Sequence, residues 1–144
     1  MAGNSANRPP LSLLSDRGSA SGAGGEVNAE IARAIVRIYR AVCGRGPTKA
    51  RATFRGDVVV VVLEDVLTPS ELSLIASGRA EVALSMRREL RAAMSGSMAR
   101  AVATVTGSEV RAVMGDTHHD PNIAVEVFLL DRPVDPSRGP ARMK

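Results

Sequence analysis

The sequence predicts an α+β domain: a four-stranded, mainly antiparallel sheet with helices on one face, in the order α-β-β-α-α-β-β. Three observations carry this prediction. Val27, Ile31, Ile35, Ile38 and Val42 recur at helical spacing. Val58–Leu63 is apolar at every position and follows a Gly56-Asp57 pair, which reads as a strand entered through a tight hairpin. Connections as short as this cannot make parallel crossovers, so the strands pair antiparallel.

The first helix is expected from about Glu26 to Gly44, with Arg33, Arg37 and Arg40 on the face opposite its apolar stripe. Ala50–Arg55 alternates, placing Arg51, Thr53 and Arg55 on one side and Ala50, Ala52 and Phe54 on the other, as in a half-exposed strand. The all-apolar Val58–Leu63 belongs in the centre of the sheet. Either both its faces are covered, or one is buried and the other meets a second subunit. Thr68, Pro69 and Glu71 form a helix start, with Thr68 as N-cap, Pro69 in the first turn and Glu71 in capping-box spacing. This short helix should stop near Gly78.

A long helix is expected from about Arg79 to Thr106. Val82, Met86, Leu90, Ala93, Met94, Ala101, Val102 and Val105 would form its apolar stripe, and Arg87, Arg88 and Arg91 would point away from it. Glu109–Met114 and Ile123–Leu130 read as the last two strands, joined by a loop GDTHHDPN. The two helix-plus-hairpin units resemble each other weakly, each with a second strand ending in Leu and an acid (Leu63-Glu64 and Leu130-Asp131).

Residues 1–25 are rich in Gly, Ser, Ala, Asn and Pro and are expected to form a disordered tail; residues 131–144 carry three prolines and are expected to be flexible. The domain is thus placed at 26–130. The chain of 144 residues has a net charge of +4, but only +1 of it falls on residues 26–130. With two Phe, one Tyr and no Trp there is little for a base to stack on, so nucleic acid is not expected as a partner. A single cysteine, Cys43, allows no intramolecular disulfide and fits a cytoplasmic setting. It reads as a small buried hydrophobe. No stretch approaches the roughly 20 apolar residues of a membrane span, so direct membrane insertion is not expected.

The segment GRGPTKAR, Gly44–Arg51, places two glycines, a proline and three cations between a helix and a strand. It closes a helix instead of opening one, so it lacks the free N–H groups of a phosphate loop. Its structural reading is a loop built on Gly44, Gly46 and Pro47, in which Arg45 or Lys49 caps the negative end of the helix dipole. Its functional reading is a contact for an anion or an acidic partner through Arg45, Lys49 and Arg51, with His119 and Asp120 nearby. Asp116, His118, His119 and Asp120 are metal-compatible types, but adjacent side chains of an extended segment point apart and Asp120-Pro121-Asn122 reads as a turn, so no metal site is expected. Glu64 and Asp65 leave their strand on opposite sides. No nucleophile elbow, zinc-protease pair or dinucleotide fingerprint occurs, so no catalytic residue, enzyme activity or cofactor is expected.

The ordered set GRGPTKAR, VVVVVLEDVLTPSE and HHDP before AVEVFLL resembles the MpsC family over about Ile31–Leu130. Gly44, Arg45, Gly46, Pro47, Arg51, Leu67, Thr68, Glu71, His119 and Asp120 match its pattern. The resemblance implies a non-enzymatic, soluble accessory or regulatory domain associated with a cation-translocating, membrane-potential-generating system linked to bicarbonate (inorganic carbon) uptake. Its partners would be proteins, membrane transport subunits among them, and further copies of itself. The alternative is a small-anion or nucleotide sensor with Arg45, Lys49 and Arg51 as a cationic wall and the His119 loop as a gate.

Overall fold

A computed structural model describes residues 23–139. The chain runs α1 (Ala23–Cys43), β1 (Lys49–Arg55), β2 (Val58–Glu64), α2 (Pro69–Ala76), α3 (Ala80–Thr106), β3 (Val110–His119) and β4 (Asn122–Leu130), followed by a 3-10 turn at Pro136–Arg138. This is the predicted order. Residues 1–22, most of the expected N-terminal tail, lie outside the described residues.

The four strands form one antiparallel sheet in the order β1-β2-β4-β3. Each hairpin contributes its aliphatic second strand to the centre, where Val61 stands opposite Glu126. The first hairpin turns through Gly56-Asp57 as expected, with Arg55 opposite Val58 and Gly56 at a φ of 61°, in the left-handed region glycine enters without penalty.

Burial along β2 alternates. Val59, Val61 and Leu63 are wholly buried under the helices, whereas Val58, Val60 and Val62 are shielded only by their strand neighbours. The same phase runs through β4, where Ala124, Glu126, Phe128 and Leu130 point inward. Val27, Ile31, Ile35 and Tyr39 of α1 and Met94, Met98, Val102 and Val105 of α3 close the core. The segment after β4, placed at sequence level in a flexible tail, buries Val134 and donates its N–H to the carbonyl of Gly56 at 2.9 Å.

Two local expectations are corrected. The first is the GDTHHDPN loop: β3 continues through Gly115–His119, in register with Asn122–Glu126, and only Asp120 and Pro121 form the turn. Polar side chains do not bar an edge strand whose outer face is open. The second is the phase of α3. Its buried stripe is Ala83, Arg87, Met94, Met98, Ala101, Val102 and Val105, while Val82 and Met86 are 45% and 42% exposed and Ala93 also faces outward. An arginine has replaced a hydrophobe on the inner face, because a carboxylate and a carbonyl wait for it there.

Candidate functional site

The GRGP loop, the β2–α2 connection and the β3–β4 turn meet at one end of the sheet. Arg45 does not cap α1, as the loop's charge pattern suggested. Its guanidinium turns across to the carbonyl of Leu67 at 2.8 Å and to the carboxylate of Asp65. Asp65 reaches Arg45 because its own φ is 61°, which swings its side chain out of strand register. Asn122, the first residue of β4, accepts from the N–H groups of Val66 and Leu67 through Oδ1 at 3.0 and 3.2 Å, and its Nδ2 lies 3.4 Å from Asp65. Three segments far apart in sequence are therefore tied by one polar chain, Arg45–Asp65–Asn122.

Beneath this end lies a buried ionic cluster. Thr68 and Glu71 form the expected capping box. Glu71, 0% exposed, also receives two hydrogen bonds from Arg87, at 2.6 and 2.7 Å. Arg87, 1% exposed, additionally donates to the carbonyl of Val66 and reaches Cys43 Sγ at 3.4 Å. Burial acts to raise the Glu71 carboxyl, but the bonds from Arg87 and Thr68 outweigh it and hold the group below its ordinary 4.5. Burial pushes the Cys43 thiol up, with Arg87 only partly opposing it, so the sulfur is held as a thiol and not as a nucleophilic thiolate.

A second cluster lies farther along the same face. Glu126 accepts from Arg91 Nε at 2.7 Å and Nη2 at 2.6 Å, and from the hydroxyl of Tyr39 at 2.8 Å. It binds α1, α3 and the centre of the sheet. Gly115, opposite Glu126 on β3, is required first by the neighbouring backbone of β4 and then by this ion pair. A β-carbon there would lie 2.1 Å from the carbonyl oxygen of Val125, 2.6 Å from Glu126 Oε2 and 2.9 Å from Arg91 Nη2. Gly115→Ala is therefore expected to cost about 1–3 kcal/mol by displacing strand and ion pair together, measured by urea denaturation. Burial, and then the charge of Glu126, raise the Tyr39 phenol far above its ordinary 10.0. With its folded value raised, Tyr39 contributes stability below that ordinary value and loses it as pH rises. As the chain has one tyrosine, tyrosinate absorbance should appear only with alkaline unfolding. A tyrosinate signal in protein whose circular dichroism is still native would contradict the burial.

The residues singled out in the sequence divide into separate places. Gly44, Gly46, Pro47, Thr68 and Glu71 shape the loop and cap, and Arg45 is engaged with Asp65. Lys49 and Arg51 project from the open face of β1, beside a shallow depression of about 410 Å³ that Glu64 also lines. His119 and Asp120 stand at the opposite edge of the same end, since Lys49, Glu64, Ile123 and His118 occupy one row across the four strands. Three strand spacings put Lys49 and His118 about 14 Å apart. The cationic wall with a histidine gate is thus not assembled. The two histidines do not point apart as expected: their rings stack with centroids 5.9 Å apart, and His118 Nδ1 lies 2.9 Å from the carbonyl of Pro121. Among the described residues no three His, Cys, Asp or Glu side chains are grouped to hold a metal ion.

Arg87, Arg91, Glu126, Tyr39 and Asn122 were missed at the sequence level. Glu126 carried a readable signal, a lone carboxylate on the inward phase of AVEVFLL. Arg87 carried one only when paired with Glu71.

The profile of the Na+-translocating membrane potential-generating system (MpsC) family matches residues 23–132. This chain belongs to the MpsC family. Neither the curated proteins nor the solved structures contain a significant match. The match runs from the start of α1 to just beyond β4, so the MpsC domain includes the whole sheet and both polar clusters. Among the described residues no helix is long and apolar enough to cross a membrane.

Proposed function

We propose that this MpsC domain is a non-enzymatic accessory or regulatory subunit of a cation-translocating, membrane-potential-generating system linked to bicarbonate uptake. It acts in the cytoplasm as a homo-oligomer and meets the membrane subunits through the end of the sheet that carries the GRGP loop. Family membership over residues 23–132 is the observation that supports the link to such a system.

The choice of surface rests on chemistry at that end. Arg45, bound to Asp65 and Leu67, holds the loop in one shape, leaving Lys49 outward on one edge and His119 and Asp120 on the other. Val42, Leu72 and Met86, each next in sequence to one member of the Cys43–Arg87–Glu71 cluster, are exposed. Exposed apolar side chains set among charged ones are compatible with a protein partner. The anion-sensor alternative draws less support, because Arg45 is already satisfied and Glu64 shares the depression beside Lys49 and Arg51.

The test is deletion of the gene in its native cell, with membrane potential followed by a voltage-sensitive dye and uptake by labelled bicarbonate. Deletion is expected to lower both, and the wild-type chain to restore them. Unchanged potential and uptake would contradict the proposal.

A further inference from the structure

The helices cover one face of the sheet, and the other is an unpartnered aliphatic surface. Side chains on that face fall into four rows, read across β1, β2, β4 and β3: Lys49–Glu64–Ile123–His118, Arg51–Val62–Val125–Asp116, Thr53–Val60–Val127–Met114 and Arg55–Val58–Leu129–Ala112. The two central strands are aliphatic in every row but the first, where Glu64 stands beside Ile123. Met114, on the outer strand, is 55% exposed. The cations lie on the β1 edge and Asp116 on the β3 edge. A face of this composition is what one half of a two-sheet sandwich presents to the other.

We propose that two copies of this chain pair face to face through this surface, about a twofold axis parallel to the strands, with Arg51 of each copy opposite Asp116 of the other. This rests on the homo-oligomer part of the proposed function and is independent of its membrane role.

The charges select both the occupant and the axis. A twofold parallel to the strands keeps each row at its own height and lays β1 of one copy over β3 of the other. The row Arg51–Val62–Val125–Asp116 then meets itself reversed, giving two Arg51–Asp116 contacts with the valines between them, while Thr53 faces Met114. A twofold across the strands would instead lay the β1 edge with Lys49, Arg51 and Arg55 over the same edge of the other copy with the rows reversed, setting Lys49 of each copy against Arg55 of the other, a like-charge arrangement that opposes association. Edge-to-edge pairing through β1 would again set those three cations beside another strand, a common device against such pairing. Arg51 makes no hydrogen bond or ion pair among the described residues. Asp116 uses one oxygen on the N–H of Thr117 and keeps the other available. Within one copy these residues lie on opposite edges, about 14 Å apart, so any coupling between them arises across the pair.

The full chain is tested by light scattering coupled to gel filtration at micromolar concentration, with circular dichroism to confirm folding. Wild type is expected at twice the mass of one chain. Val60→Lys and Val127→Glu are each expected to raise the dissociation constant at least tenfold. Arg51→Asp and Asp116→Arg should each weaken the pair, and the double exchange should restore it, a pattern that stays readable if the valine variants do not fold. A wild-type monomer would overturn the pairing and the homo-oligomer with it. A dimer indifferent to Val60→Lys and Val127→Glu, or a double exchange no better than the single ones, would overturn this face alone.

Discussion

Arg87→Met is expected to destabilise the domain by about 3–5 kcal/mol near pH 7, the largest effect of any single change considered. Lost packing is not the main cause, since methionine fills similar space. The cost comes from leaving the Glu71 carboxylate buried without its cation, and the Val66 carbonyl without the donor that Arg87 supplies. The pH dependence separates this from simple loss of packing. In the wild type the Glu71 pKa is held below 4.5, so its contribution is complete above that value and is lost as pH falls through the lower folded-state value. In Arg87→Met burial acts unopposed by the guanidinium, the folded-state value rises, and acidification neutralises the stranded carboxylate. The gap between variant and wild type should therefore narrow between about pH 7 and about pH 4.5 in urea denaturation. A gap that stays constant with pH would mean Glu71 is not the stranded group. Adding Glu71→Leu should recover part of the loss but not all, because the capping box goes with the carboxylate.

Glu126→Leu is expected to cost about 2–4 kcal/mol. Two groups lose their acceptor: the Tyr39 hydroxyl, which is buried, and the Arg91 guanidinium, which keeps some access to water and so suffers less. Glu126→Gln retains the shape and an acceptor for Tyr39 and should cost roughly half as much. Denaturation curves for both variants and for Tyr39→Phe check this ordering. If Glu126→Leu were as stable as wild type, the cluster would be energetically idle.

Most of the architecture was legible because it depends on local, periodic signals. The α1 stripe, the Gly56-Asp57 turn and the Thr68–Glu71 capping box each specify their element with residues a few positions apart. The errors arose where a long-range polar contact outweighed local hydropathy. Val82 and Met86 look like the inner face of α3, yet the helix is rotated so that Arg87 reaches Glu71 and the Val66 carbonyl, partners on the segment after β2. The GDTHH stretch looks like a loop by composition, yet pairing with Asn122–Glu126 makes it a strand, because a sheet edge accepts polar side chains on its open side. The GRGP loop was correctly singled out, but the destination of Arg45 depended on Asp65 adopting a positive φ, which no local pattern announces. Of the candidate site, the residues that shape the end were legible, and those that hold it in place were not.

We propose that this MpsC domain works by contact through its GRGP end and not by chemistry within it. The most direct measurement compares membrane potential in deletion cells supplied with wild type, with Asp120→Arg in the exposed β3–β4 turn, or with Arg88→Glu as an exposed control on α3. Purified Asp120→Arg, which lies outside the paired rows of the open sheet face, should first match wild type in stability and particle mass. The account predicts that wild type and Arg88→Glu restore the potential while Asp120→Arg does not. Full restoration by Asp120→Arg would contradict it.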